Sequence, residues 1–431
     1  MTLLVISPDY ASHLLPLATL ATAWRDRGDD VVVASGPATS SIVSSFGFRG
    51  TELRLGRGSN PGTIRAEEQP EGEDDSLRGF FDATRRGLVD TLAYQASQRT
   101  TDLLWQPLDT ASAVLKIVDD VKPDAVIVDH LAFTARLALQ AAGVRHADVV
   151  LGHPTALPIA GEVYGHPTSW PRAFDPDRDA LERLRASCVR VRDRFTEQWN
   201  EALAVLNASA APSQDAFAEH GDTLLLNYPG QLHAPERTAL LPTHAFLGSA
   251  VRDEPVDPEV DAWLSRGGAP IVYVSFGSFL SVRADVLARV ADALKPLDVR
   301  VALAVGSADR EELGELPDTW LVREFLPQVT ILKHAVLAVT HGGNNSVTEA
   351  ATAGVPMLVL PFSTDQFAGA EAIETRGYGL ALAPNTASVD ELRSAAASLL
   401  ADTAVDDRSR LLGAELRAVP GRDRAYEALS S

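Results

Sequence analysis

Val336-Leu337-Ala338-Val339-Thr340-His341-Gly342-Gly343-Asn344-Asn345-Ser346-Val347 is the stretch on which the reading of this chain turns. The unbroken apolar run at its start predicts a strand buried on both faces. The residues from Val347 to Ala353 predict a helix. Between them, two glycines let a ligand come close to the backbone, and the helix start aims unpaired N–H groups at the same point. His341, Asn345 and Ser346 add side-chain donors there. Such a strand–turn–helix unit suits a diphosphate.

The surrounding sequence repeats this pattern. Ile271–Ser275, Val299–Val305, Leu321–Phe325 and Met357–Leu360 read as strands, with helices between them such as Ala284–Leu294. The first half does the same with Leu3–Ile6, Asp30–Ala34, Ala125–Val128 and His146–Leu151 as strands. Leu14–Arg27, Ala38–Phe46 and the long stretches 76–121 and 177–206 read as helices. Strand–helix alternation predicts parallel sheets covered on both faces, with ligands beyond the carboxyl ends of the strands. Two successive sets predict an α/β chain of two doubly wound, Rossmann-like domains facing each other across a cleft. Two irregular segments stand out. Residues 53–77 are rich in Gly, Pro, Glu and Asp, and residues 152–176 hold five prolines and three glycines. Long loops of this kind usually serve function or are disordered.

Composition narrows the possibilities. At 431 residues, two domains are expected. The apolar content is 45%, and no apolar run reaches membrane-span length. The N-terminal apolar run is short and meets Pro8, so no signal peptide is expected. Cys188 is the single cysteine, which excludes an intrachain disulfide and fits a reducing cytoplasm. A net charge of −20 argues against a nucleic-acid polymer as partner, although a single nucleotide can still be held by local donors.

Each site element also has a plain structural reading. Ser346-Val347-Thr348-Glu349 fits a capping box, Phe325 could be core, and Asp365-Gln366 could start a helix. Their common position at strand carboxyl ends favours a site. There Ser278 ends a strand in a small-residue turn with Gly277, and Phe325 could stack on a planar ring.

Phe325-Leu326-Pro327-Gln328, His341-Gly342-Gly343-x-Asn345-Ser346-x-x-Glu349, Gly354-Val355-Pro356 and Pro361-x-x-x-Asp365-Gln366 together resemble the donor signature of UDP-sugar-dependent glycosyltransferases. That family includes plant secondary-product enzymes and bacterial macrolide and antibiotic glycosyltransferases. The similarity is dense over about residues 270–380 and implies the two-domain GT-B fold, with the active site in the interdomain cleft. It implies an acceptor-binding domain over 1–240, a donor-binding domain over 241–410, and a C-terminal helix in 411–431 returning to the N-terminal domain. It also implies roles. Phe325 stands where the family commonly has a base-stacking tryptophan. Gln328 would hold the base or ribose, and Glu349 the ribose hydroxyls. Ser278, His341, Gly343, Asn345 and Ser346 would hold the diphosphate, and Asp365 and Gln366 the sugar. Asn344 departs from the plant pattern, which has tryptophan there.

At the other end, Ser12-His13-Leu14-Leu15-Pro16 follows the first strand, with Arg27-Gly28 fourteen and fifteen residues after the histidine. The pattern resembles the family's Gly-His-x-x-Pro, with Ser12 replacing the glycine, and makes His13 the counterpart of its catalytic base. A neutral imidazole can take a proton from a hydroxyl, and a carboxylate on its other nitrogen fixes the tautomer. Asp129, ending a separate strand, is the expected partner; a helix N-cap is its plain reading.

The expected activity is inverting, metal-independent transfer of a sugar from a UDP- or dTDP-sugar to a small natural-product or antibiotic-like acceptor. No cofactor beyond the donor, no nucleic acid and no membrane enter this expectation, and a homodimer stays open. Tyr164 and Trp170 are the acceptor-side candidates. A nucleotide-sugar 2-epimerase and a non-catalytic helper of the same fold are the alternatives; isomerisation of donor alone would mark the first, and absent nucleotide binding the second.

Overall fold

The structure is a computed structural model that describes residues 1–62, 73–99, 103–159 and 161–430, and for residues 73–74 and 278–279 the backbone only. The apolar runs form two all-parallel sheets. In the first half, seven strands are ordered β3-β2-β1-β4-β5-β6-β7. They are β1 (Thr2–Ile6), β2 (Asp30–Ser35), β3 (Arg49–Glu52), β4 (Ala125–Asp129), β5 (Ala147–Val150), β6 (Thr223–Leu226) and β7 (His244–Phe246). In the second half, six strands are ordered β10-β9-β8-β11-β12-β13. They are β8 (Ile271–Ser275), β9 (Arg300–Ala304), β10 (Leu321–Arg323), β11 (Ala335–Thr340), β12 (Met357–Val359) and β13 (Gly379–Ala381). Both sheets belong to doubly wound α/β units, the expected fold class.

Central strands are buried on both faces, which is why they read as continuous apolar runs: Leu3, Leu4, Val5 and Ile6 have no exposed surface. Chain order reverses between β1 and β4 in one sheet and between β8 and β11 in the other. These switch points open a crevice at the strand carboxyl ends. They set where His13, Asp129, Gly277 and His341 come to lie.

Some expectations change. The helix expected from Leu14 begins at Ala11, and the one expected from Val347 begins at Asn344 with Gly343 as N-cap. No side chain caps that helix, so the capping box read in Ser346 to Glu349 does not form. Part of the loop expected over 53–77 is helical, because Glu73–Arg86 presents Phe80 and Phe81 to apolar neighbours. Residues 63–72 of that loop lie outside the described ones. The strand expected to reach Phe325 stops at Arg323.

The terminal helix Gly421–Ser430 crosses to the N-terminal sheet, where Tyr426 meets the buried Trp24 edge-on with ring centroids 5.1 Å apart. Arg27 closes the same contact, lying over the Tyr426 ring and pairing with Asp423. Among the described residues no helix is long and apolar enough to cross a membrane.

Candidate active site

The two switch points face one cleft of about 750 Å³, lined from both halves of the chain. On the N-terminal side, β1 leads into the helix Ala11–Arg25, which carries His13 in its first turn. The next strand, β4, ends at Asp129. Their adjacency in the sheet brings His13 Nδ1 to 2.7 Å from Asp129 Oδ2. Asp129 is buried and its other oxygen accepts the Leu131 N–H, so the carboxylate is fixed on both sides. His13 remains 26% exposed, leaving Nε2 as the nitrogen not engaged by Asp129. Burial lowers the His13 pKa, but the charge of Asp129, the hydrogen bond to it and the charge of Asp365 together hold it above the ordinary histidine value.

Pro16 has a consequence that its place in the sequence does not announce. Lying inside the helix, it offers no N–H to the Ser12 carbonyl one turn earlier. That carbonyl instead accepts Asn345 Nδ2 from the opposite domain at 3.0 Å. The neighbouring Asn344 reaches the Asn227 carbonyl in the same way, also at 3.0 Å.

On the C-terminal side, β11 delivers His341 and the helix Asn344–Ala353 starts immediately after. The His341 ring lies between Gly277 and Gly343. A Cβ on Gly343 would fall 2.3 Å from His341 Nε2, and one on Gly277 would fall 2.9 Å from Cε1. Both positions therefore need glycine for the ring to stand there. Burial pushes the His341 pKa down to about 4, so at neutral pH the ring is an uncharged donor or acceptor beside the helix start. Asn345 and Ser346 sit in the first turn of the same helix and line the cleft. For Ser278 the structure describes the backbone alone, in the short helix Gly277–Leu280.

Phe325 is 66% exposed and faces the cleft, a conspicuous position for a large apolar side chain. Gln328 starts the helix Gln328–Leu332, and its Nε2 donates to Glu349 Oε2 at 2.6 Å. Glu349 is buried, and burial raises its pKa against the opposing effect of Arg252. Arg252 donates to its Oε1 at 2.8 Å. Arg252 lies in the irregular segment between β7 and the helix Pro258–Leu264, where no periodic signal marks it in the sequence.

Asp365 reaches across to the N-terminal domain, where its Oδ2 accepts the His153 N–H at 2.5 Å. Thr364 before it has φ +48°, a left-handed backbone unusual for threonine, and its hydroxyl donates to Asp365 Oδ1. Gln366 is turned inward. Its Oε1 accepts the N–H groups of Phe362 and Ser363, so its amide closes its own loop even though the residue lines the cleft.

The two aromatic acceptor candidates separate. Tyr164 lines the cleft, stacked on Phe217 at 3.9 Å with Arg99 over its ring. Trp170 packs against the apolar cluster beside the long helix Arg178–Leu206 and is not among the cleft residues. Phe80 and Arg99 also line the cleft and were not singled out in the sequence.

The model of the family described as UDP-glucoronosyl and UDP-glucosyl transferase matches residues 184–412, more than half of the chain. The oleandomycin glycosyltransferase of Streptomyces antibioticus is 28% identical over 316 residues, covering 73% of this chain and 69% of its own. The elloramycin glycosyltransferase of Streptomyces olivaceus is 26% identical over 420 residues, covering 97% of this chain and 94% of its own. Among solved structures, a spinosyn rhamnosyltransferase complexed with thymidine diphosphate superposes with a TM-score of 0.67 at 20% identity, over 100% of both chains. A calicheamicin glycosyltransferase superposes with a TM-score of 0.66 at 20% identity, over 99% of this chain and 96% of its own. These likenesses give the two-domain fold as GT-B. With its two parallel sheets meeting at one cleft and residues 184–412 matching the family model, the chain belongs to the UDP-glucuronosyl and UDP-glucosyl transferase family and is a glycosyltransferase.

Proposed function

We propose that this glycosyltransferase moves a sugar, with inversion, from a UDP- or dTDP-sugar to a hydroxyl of a small natural-product acceptor. The observation that carries the proposal is the His13–Asp129 pair, 2.7 Å apart, in the cleft that also holds the His341–Ser346 turn. In this reading the acceptor hydroxyl gives its proton to His13 Nε2 as its oxygen attacks the anomeric carbon. The bond from that carbon to the diphosphate oxygen breaks, and the nucleoside diphosphate leaves on the opposite face with the electron pair. Asp129 stabilises the imidazolium that forms. The helix start at Asn344 and the uncharged His341 meet the charge that develops on the leaving group, so this step calls for no metal ion.

Support for the substrate class comes from the relatives. The oleandomycin and elloramycin enzymes bear antibiotic names, and the spinosyn rhamnosyltransferase was solved with thymidine diphosphate. The cleft wall is suited to an apolar ring system, since Phe80, Leu92, Tyr94 and Tyr164 line its acceptor side. Asp365, Asn345 and Ser346 are the proposed sugar and diphosphate contacts, and Phe325, Gln328 and Glu349 the nucleoside contacts. A panel of UDP- and dTDP-sugars scored by thermal shift tests the donor, followed by mass-spectrometric screening of polyketide and aromatic acceptors with the best donor. A gain in melting temperature and a sugar-sized mass increase on an acceptor are expected. Isomerised donor without transfer would point to epimerisation, and no nucleotide response at all would sink the proposal.

A further inference from the structure

Glu349 is held by more than its own helix. Its Oε1 accepts Arg252 Nη1 at 2.8 Å and its Oε2 accepts Gln328 Nε2 at 2.6 Å. Arg252 Nη2 goes on to Glu254 Oε1 at 2.9 Å, and Glu254 Oε2 accepts the Thr330 N–H at 2.8 Å. Thr330 lies two residues beyond Gln328, in the same short helix. The contacts therefore close a ring through Gln328, Glu349, Arg252, Glu254 and Thr330. Arg252 and Glu254 belong to the segment that joins the two sheets, between β7 and the helix Pro258–Leu264.

The charge in this ring does not balance. One guanidinium serves two carboxylates whose side chains are only 4% and 5% exposed. Tyr273 on β8 also faces Glu349, and burial pushes its phenol further up, so it adds no positive charge. An uncompensated buried charge is costly, so a second buried carboxylate on one guanidinium is a poor choice for stability alone. A surplus carboxylate facing a cleft is instead suited to hydroxyl donors from a ligand. Arg252 and Glu349 both line the cleft, in company with Phe325 and Gln328.

We propose that Arg252 is a positioning residue that keeps Glu349 ionised and aimed into the cleft to accept a ribose hydroxyl of the donor nucleotide, an inference that rests on the donor reading above. The linker between the domains thereby takes part in nucleoside recognition. Gln328 fixes one carboxylate oxygen and Arg252 the other, and each oxygen keeps a lone pair for the sugar. Without the guanidinium, Glu349 would stand beside Glu254 with no counter-charge, and its carboxyl would titrate at a higher pH.

Calorimetry with the full chain tests this, using UDP and dTDP together with their 3′-deoxy counterparts. The unaltered protein should prefer the 3′-hydroxyl form by about tenfold, the scale of a hydrogen bond to a charged group. Arg252→Gln should lose most of that preference, and Arg252→Lys should recover part of it. In Arg252→Gln, whatever 3′-hydroxyl preference remains should also begin to fall at a higher pH than it does in the unaltered protein. Equal weakening of both forms would reduce Arg252 to a structural linker contact and overturn the proposal, as would unchanged affinity for both. Binding by the unaltered protein with no 3′-hydroxyl preference would overturn it while leaving the donor reading intact. Binding of none of the four nucleotides would overturn the donor reading itself. Circular dichroism of both variants separates these outcomes from loss of the fold.

Discussion

His13 is one side chain on which the proposed chemistry converges, and its environment makes defined demands. Replacing it with alanine should lower transfer by roughly 10²–10⁴-fold, the usual worth of a positioned base, while nucleotide binding persists. Near-normal turnover would remove it as the base. Because a base must be unprotonated, kcat/KM should rise with pH through the His13 pKa. Asp129 and Asp365 hold that value up, so the inflection should lie above the ordinary 6.5. Asp129→Asn removes the charge that does most of the raising, so its profile should shift to lower pH as its maximum rate falls; an unmoved inflection would contradict the pairing. Phe325 allows a cleaner test of the donor side, because at 66% exposure it contributes little to the core. Phe325→Ala should weaken nucleotide binding by roughly 1–3 kcal/mol, the range of base–aromatic stacking, with the melting temperature unchanged. Equal binding by the variant would place the base elsewhere in the cleft.

At the scale of elements, the helix Ala11–Arg25 bears a proline where helices ordinarily have none. A proline inside a helix costs about 3 kcal/mol in general, and here its missing N–H leaves the Ser12 carbonyl open to Asn345. Pro16→Ala restores an i+4 donor for that carbonyl. The expected variant is as stable as the parent or more so in a thermal melt, with transfer several-fold slower because the cross-cleft contact has a competitor. Unchanged turnover would mean that the Asn345–Ser12 contact is incidental. The sequence showed His13-x-x-Pro16 as a pattern, and β1, β4, β8 and β11 as apolar runs. It did not show β3, β7 or β13, because a polar edge strand such as Arg49–Glu52 and three-residue strands such as His244–Phe246 carry no apolar periodicity to recognise. The short run Thr223–Leu226, β6, is also absent from the expected strands, since four residues show no period that separates strand from helix. The capping box failed for a related reason. Ser346 and Glu349 have the right spacing, yet the helix starts at Asn344, three residues before the Val347 start that such a box requires.

For the molecule as a whole, both halves depend on the terminal helix Gly421–Ser430. It follows a helix packed on the C-terminal core through Leu412 and Leu416, and it lays Ala425, Tyr426 and Leu429 on the N-terminal core. Ending the chain at Val419 would uncover Trp24, which is otherwise fully buried. Since a buried large apolar side chain is worth about 1.5–3 kcal/mol, the truncated protein should lose roughly 3 kcal/mol or more. A lower melting temperature, with the N-terminal half the first to open in hydrogen exchange, is the expected result; an unchanged melt would make the helix dispensable. In a second bridge between the halves, the buried Arg283 of the C-terminal half donates to the Thr84 carbonyl of the helix Glu73–Arg86.

The sequence by itself determined the alternation of strands and helices, the turns at their carboxyl ends and the residue types at those turns. Each of these is written locally, in apolar runs, glycines and helix starts, within a few residues of one another. Only the tertiary structure decided which groups meet. His13 finds Asp129 across 116 residues, Asn345 finds Ser12 across 333, and Glu349 finds Arg252 across 97. Those pairings depend on strand order at the two switch points and on the meeting of the two domains. No period in the sequence records either, because burial patterns fix which face of an element turns inward but not which distant element it will face.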